Sequence, residues 1–408
     1  MKKLILLGFI VLFIGCPSPS LNTARIEYFN RQDFQRAKAV CLEGIKNDPS
    51  NFELFAILGG SEIALGNWQP ASDALIKAFE IDSLKMSTWL AKQPNSEQYY
   101  YQPFYYAARD LFTKGKYEDA LKDLKYAEKI NPSDARTYTL RGAIYHQTGE
   151  IDKAKEQYTK ALKVDPDNPD VHFLIGKSLF ESKKYDSSMV YFEEAIKNYI
   201  TTNELNKKVL FSNLPSPDKE LEHEILRLWR DKKNNRKKLD EIVKVKLGHD
   251  GGLGAVERAL EKFYKSNDGL ARSYYLLGMA YYNLRDDSTA LKNILTSLTF
   301  VPDDLDALFY AGELFLRAKK YQEAIKKFET ITKLKEDDIY AWFYLAVCYT
   351  QLKKYKKAID LYEGKVLVLS PKNIEAMTNL AYCYREIGNN KKALEYLTKA
   401  DKLQKEQQ

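Results

Sequence analysis

Cysteine is scarce in this chain, with four in 408 residues. Cys16 follows an apolar N-terminal run; the other three, Cys41, Cys348 and Cys383, are odd in number and lack paired spacing. A chain this long does not depend on covalent staples, so no disulfide framework is predicted. Histidine is equally sparse. His146, His172, His223 and His249 lie in separate stretches, none with a second His or Glu at the spacing that sets two ligands on one helix face. That excludes the common helical metal centre, and no metal or cofactor is expected. Nucleophile-elbow and Cys-X-X-Cys motifs are missing. The Gly-rich stretch from Gly248 to Gly254 has neither a Gly-Lys-Ser/Thr ending nor a strand before it, so it reads as a flexible turn and not a phosphate cradle. His249-Asp250 within it reads as a solvated pair. Glu193-Glu194 and Asp337-Asp338 fall where charge faces water. No catalytic constellation is left, and a non-enzyme is predicted. One-sided charge is lacking too: 63 basic residues face 56 acidic ones, a net +7 that does not by itself indicate a nucleic-acid binder.

What the chain does have is core. At 45% apolar and 13% aromatic it is too hydrophobic to be disordered. Its first residues differ from the rest: Lys2 and Lys3, an apolar run from Leu4 to Ile14, then Gly15 and Cys16. The run is short for a membrane span and has the order of a secretory signal. Phe13-Ile14-Gly15-Cys16 resembles a bacterial lipobox, with Phe13 in place of the usual Leu. The resemblance implies cleavage of a 1–15 signal peptide, lipidation of Cys16 and a membrane-anchored lipoprotein of the bacterial envelope, facing the periplasm or the cell surface. Nucleic acid is then not an expected partner.

Small residues recur at Gly59, Ala108, Gly142, Gly176, Gly278, Gly312, Ala346 and Ala381, at intervals of 49, 34, 34, 102, 34, 34 and 35. Since 102 is three times 34 and 49 exceeds 34 by 15, one period runs through the chain with two insertions. A second small residue stands twelve positions after each, at Ala71, Ala120, Ala154, Ser188, Ala290, Ala324, Ala358 and Ala393, and Ala37 marks an earlier copy. Four positions further comes a large residue on the same helical face: Leu75, Leu124, Tyr158, Phe192, Ile294, Phe328, Tyr362 and Leu397. Turn words such as Thr148-Gly149-Glu150 separate two helices, and Pro49, Pro132, Pro166 and Pro302 close copies. Small residues facing each other let the two helices approach, and large ones fill the space to the next pair. One pair cannot bury that surface alone, so pairs must stack.

This pattern resembles the tetratricopeptide repeat. The resemblance implies an all-α, right-handed superhelical solenoid of about nine helix-turn-helix repeats with two insertions: repeats 1–2 over 16–85, an insertion at 86–100, repeats 3–5 over 101–202, a basic insertion at 203–270 and repeats 6–9 over 271–408. Three copies depart from it: Arg25 replaces the first small residue, Ile200 stands where Pro closes a copy, and a one-residue insertion near Lys365 precedes Pro371. Those copies should pack less regularly. Only a polar extension of the last helix is expected at Asp401–Gln408.

First-helix residues that point away from the partner helix are largely aromatic and cationic: Tyr105, Arg109, Arg136, Phe173, Lys177, Arg272, Tyr275, Tyr282, Phe309, Tyr310, Phe343, Tyr344, Tyr382 and Arg385. About half of them are expected to be structural. The rest would bind partner proteins or peptides in a concave groove, or, in the alternative, glycans or small ligands stacked on the rings. The Lys and Asn that clamp a carboxylate in tetratricopeptide co-chaperones are matched here by Thr139 and Ala143, then Phe173 and Lys177, so that clamp is absent. The resemblance is in kind to tetratricopeptide lipoproteins of outer-membrane protein assembly and pilus biogenesis, which makes an envelope scaffold the leading expectation.

The first insertion runs into Tyr99, Tyr100 and Tyr101, which either glue the loop down or form a binding hot spot. The second holds Ser216-Pro217-Asp218, a helix-start signal. It then carries nine basic against three acidic residues between Arg227 and Lys246. Arg227, Arg230, Lys232, Lys233, Arg236, Lys237 and Lys238 are expected to contact an anionic surface, lipid headgroups or an acidic partner, unless they only keep an exposed helix soluble.

Overall fold

The computed structural model describes residues 18–214 and 218–406, so Cys16, Ser216 and Pro217 lie outside the described residues. Every regular element among the described residues is helical, and the chain divides into two compact units at Pro166.

In the first unit α1 (Pro19–Arg25) runs on as a π-helical turn (Ile26–Arg31) and pairs with α2 (Phe34–Asn47), and α3 (Phe52–Ala64) pairs with α4 (Trp68–Ile81). After α5 (Ser83–Ala91) and α6 (Ser96–Tyr99) come the pairs α7 (Tyr101–Thr113) with α8 (Tyr117–Ile130) and α9 (Ala135–Gln147) with α10 (Ile151–Val164). The second unit opens with α11 (Pro169–Glu181) and the long α12 (Tyr185–Leu210). The hairpin α13 (Lys219–Arg230) and α14 (Lys232–Val245) leads to α15 (Gly252–Asn283), whose partner is α16 (Asp287–Ser297). Next are α17 (Leu305–Arg317) with α18 (Tyr321–Leu334), then α19 (Ile339–Gln351) with α20 (Tyr355–Leu361), a π-turn (Tyr362–Val366) and α21 (Leu367–Leu369). The pair α22 (Ile374–Glu386) and α23 (Asn390–Glu406) ends the described chain.

Local chemistry sets the ends of these helices. Several first helices start on Asn or Asp, whose side chain accepts from a first-turn N–H: Asn51 from Leu54, Asp304 from Ala307, Asp338 from Ala341 and Asn373 from Ala376. They end on a left-handed residue, Gly115, Gly149 and Gly388 in some copies, Lys183, Arg285, Lys319 and Lys353 in others. The next N–H then reaches back five residues into the helix end, as from Lys116 to Leu111 O at 2.9 Å and from Lys320 to Phe315 O at 2.8 Å.

The small-residue columns are the closest approaches in each pair. A Cβ on Gly142 would fall 2.5 Å from Tyr158, one on Gly312 2.7 Å from Phe328, and one on Gly59 2.6 Å from Leu75. Tyr158, Phe192, Phe328 and Tyr362 are in consequence fully buried.

Each departing copy has an irregularity at the position of its departure. Arg25 forms a bidentate pair with Glu53, at 2.7 and 2.5 Å, and its helix is finished by the π-turn. The extra residue of the eighth copy is absorbed in the second π-turn, Tyr362–Val366. With no Pro at 200, α12 does not stop there. It continues to Leu210 alongside an α15 that begins at Gly252, well before the expected repeat start at 271, joined by Asn203 Nδ2 donating to Ser266 Oγ (3.1 Å) and by Tyr199 lying against Gly269. The second insertion is therefore a lengthening of two repeat helices plus a terminal hairpin, cored by Phe211, Trp229, Ile242, Leu260 and Phe263. Asp218 caps α13, and Ile225 and Leu228 face that core.

In the first unit Ser72 of α4 donates to Asp123 of α8 at 2.7 Å. Asp123 is 2% exposed, and its Oδ2 has no hydrogen-bond partner among the described residues. Burial, with Asp73 and Asp119 nearby, pushes its carboxyl up to about 7.

Candidate functional site

The first insertion settles into the core. Tyr100 and Tyr101 are 2% and 1% exposed; the Tyr100 hydroxyl meets that of Tyr28 at 3.1 Å, and Trp89 lies edge-on to Tyr100 at 5.6 Å. Burial raises the pKa of Tyr100 and Tyr101 far above the ordinary phenol range. These side chains glue the segment down.

In the first unit the groove residues gather around two arginines. Tyr105 stacks on Tyr101 at 5.7 Å, and the Arg136 guanidinium, held by Asp134, covers both rings at 5.0 and 5.2 Å. Arg109 lies over Tyr106, whose ring also meets Trp68 and Tyr105. Arg109 and Arg136 are exposed.

In the second unit a continuous run of rings crosses the first helices. Tyr275 and Tyr282 of α15 both contact Tyr310 of α17, at 6.4 and 5.4 Å; Tyr310 is perpendicular to Phe309, which meets Tyr344 of α19 at 5.4 Å. Two charged residues that the sequence reading missed lie in the middle. Glu313 accepts from the Tyr282 hydroxyl at 3.0 Å and pairs with Arg317 at 2.6 Å, while Arg317 lies 4.6 Å over the Tyr282 ring and also reaches Asp287. Burial and then Glu313 raise the pKa of Tyr282. The signal that could have found them is their spacing of four on one helix face, opposite sign to sign. Phe309 and Phe343 pack on Phe328 and Tyr362, so they belong to repeat packing. Tyr344 stacks on Phe328.

The remaining groove residues are apart from that run. Arg272 pairs with Asp268 at 3.0 Å and lies 5.0 Å over Phe173; Lys177 pairs with Glu181 at 3.7 Å. Tyr382 is 41% exposed, with Arg385 over it at 5.2 Å. A cleft of about 670 Å³, also not foreseen, opens between α18 and α20 over Trp342 and Tyr349, each covered by a lysine, Lys365 and Lys357.

Within the basic stretch four of the seven residues expected to contact an anionic surface are paired within the chain. Arg230 pairs with Asp303 (2.9 Å), Lys232 and Arg236 with Glu257 (3.8 and 3.2 Å), and Lys238 with Glu224 (3.5 Å). Arg227, Lys233 and Lys237 form no salt bridge among the described residues. His249 is half-buried and not a free surface group: its Nε2 lies 2.8 Å from Leu210 O, a bond that ties the Gly-rich turn to the end of α12. Gly252 there has φ +61, and Leu253 N donates to Asp240, which ends the turn and starts α15. Cys41, Cys348 and Cys383 are free, buried thiols. No group of three or more His, Cys, Asp or Glu among the described residues could hold a metal, and no described helix is long and apolar enough to cross a membrane.

Family profiles match along this helical architecture. A profile described as TPR repeat matches residues 108–149 and 142–183, and one described as tetratricopeptide repeat matches 169–199 and 374–407. Tetratricopeptide repeats are present in this chain. A third profile, anaphase-promoting complex, cyclosome, subunit 3, matches 289–365. Among curated proteins, Hsp70-Hsp90 organizing protein 1 of Glycine max is 30% identical over 96 residues, 24% of this chain and 17% of that protein. Hsp70-Hsp90 organizing protein 3 of Arabidopsis thaliana is 31% identical over 88 residues, 22% and 16%. The tetratricopeptide match thus spans about a sixth of the length of these relatives. Among solved structures, the pilF protein of Pseudomonas aeruginosa aligns over 68% of this chain and 94% of its own at 15% identity, TM-score 0.45. YrrB, described as a TPR protein with an unusual peptide-binding site, aligns over 62% and 95% at 15% identity, TM-score 0.41.

Proposed function

We propose that this chain is a lipid-anchored adaptor of the bacterial envelope, tethered through Cys16, that holds extended segments of partner proteins against the first helices of its second unit. The observation that carries the reading is the ring run Tyr275–Tyr310–Tyr282 with Glu313 and Arg317 at its centre. Half-buried aromatic faces supply contact area at low entropic cost, and a paired carboxylate and guanidinium give a peptide backbone or side chain both an acceptor and a donor. The Glu313 carboxylate makes the strip two-signed, so the fitting segment is aromatic with charges of both signs, and not simply acidic. The partner proteins in the names of the chaperone organizers support the same class of role.

A photo-crosslinking residue placed at Tyr310 should capture discrete partners in intact cells, and one placed at exposed Lys326 on α18 should not. Equal capture from both positions would refute the groove. Cys16→Ala should release the protein from the membrane fraction, and unchanged retention would remove the anchor from the reading. Arg227, Lys233 and Lys237 are the groups left to contact anionic headgroups; Lys233→Gln with Lys237→Gln should then weaken binding to anionic vesicles at low salt but not at high salt.

A further inference from the structure

The repeats supply their own internal standard for what a second helix buries. The large residue four positions after the second small residue is 0% exposed in Phe192, Ile294, Phe328 and Tyr362, yet Leu397, its counterpart on α23, is 42% exposed. In the two preceding copies the residue directly after the small one is buried as well. Ile325 and Ile359 are 5% and 7% exposed, and Leu394 is 67% exposed. In the interior copies this face is covered by the next hairpin; on α23 no described residue covers it.

We propose that a second copy of this chain covers it, the two α23 helices packing antiparallel about a two-fold axis. Asn390, Leu394, Leu397 and Asp401 follow one another at steps of four, three and four, and so form one stripe along the helix. Set antiparallel with Leu394 against the partner's Leu397, the stripe pairs with itself: leucine meets leucine twice in the middle. At each end Asp401 meets the first turn of the opposite helix. That turn carries the positive end of the helix dipole and Lys391, one residue from the point of contact. Neither Asp401 nor Lys391 forms a salt bridge among the described residues, so both are available to the other copy. A parallel arrangement would set Asp401 beside the partner's Asp401 and is disfavoured by like charge. The symmetric solution is also the commonest closed one, since the same patch serves both copies. Two helices of this length bury area at the low end for specific interfaces, so association is expected in the micromolar range. The inference does not depend on the groove reading, because the groove residues lie on first helices.

The test is sedimentation equilibrium of the full-length chain in density-matched detergent up to about 100 µM. The wild type should fit a monomer–dimer equilibrium, and Leu394→Glu with Leu397→Glu should be monomeric at unchanged helicity. Lys391→Glu and Asp401→Lys should each weaken association about tenfold, and the two combined should restore it, because each reversed charge then meets its opposite in the other copy. A monomeric wild type overturns the proposal, as does a dimer indifferent to the leucine changes. Failure of the combined charge reversal to improve on the single ones overturns the antiparallel register.

Discussion

Asp123 makes the junction of α4 and α8 sensitive to pH, and the sign can be worked through. Its carboxyl is raised from an ordinary 3.8 to about 7 by burial, against the opposing effect of the Ser72 hydroxyl. The folded state thus holds the proton more tightly than the unfolded state does. The stability this contributes is fully present below pH 4 and is lost as pH rises to about 7, beyond which the buried carboxylate is charged. About three pH units at 1.36 kcal/mol each is roughly 4 kcal/mol. Asp123→Asn keeps the shape and an oxygen to accept from Ser72 but cannot ionise. Chemical denaturation followed by circular dichroism at pH 4.5 and pH 8.5 reads the outcome, with the difference between variant and wild type cancelling all other titrating groups. The variant should match the wild type within about 1 kcal/mol at the lower pH and exceed it by about 3 to 4 kcal/mol at the higher. A difference that is the same at both pH values would refute the argument, because it would mean that Asp123 carries the same charge throughout.

Glycine changes should divide by location. Gly312→Ala places a methyl 2.7 Å from Phe328 and should cost about 1 to 3 kcal/mol, whereas Gly254→Ala, with nothing within 4 Å, should gain about 1 kcal/mol; unfolding midpoints compare them. Lys319→Gly relieves a left-handed lysine at φ +58 and should stabilise by about 1 kcal/mol, measured the same way. Cys41 and Cys348 have thiols pushed up to about 12 by burial, so a thiol reagent at pH 8 should leave them and Cys383 unlabelled in the native protein and label them after denaturation.

Much of the fold was legible because its columns have steric meaning. Gly142 and Gly312 are small since Tyr158 and Phe328 occupy the space a side chain would need, and a spacing of twelve plus four encodes that packing directly. The second insertion was not legible through the same columns. Its helices continue outside the repeat, where Tyr199 and Asn203 pack on Gly269 and Ser266 and no periodic residue is required. The charge of Arg227–Lys246 was legible only in part for a different reason: a sum along the sequence omits Glu224, Glu257 and Asp303, which folding brings in from other segments. The groove's rings were visible in the sequence; Glu313 left only its spacing of four from Arg317, and the approach of Tyr282 to it is what gives that carboxylate a role.

The lengthened pair α12 and α15 has a consequence for how the chain can change over evolutionary time. A repeat array grows or shrinks by duplicating or losing whole hairpins, because each touches only its neighbours. Between α11 and α16 that freedom is gone: the two long helices are fastened to each other from Phe192 through Tyr199, Asn203 and Leu210, and their far end is closed by a hairpin fitting no other place in the series. A deletion of one unit here would strand half of a welded joint. Variation in repeat number among relatives of this chain is accordingly expected on either side of this joint and not within it.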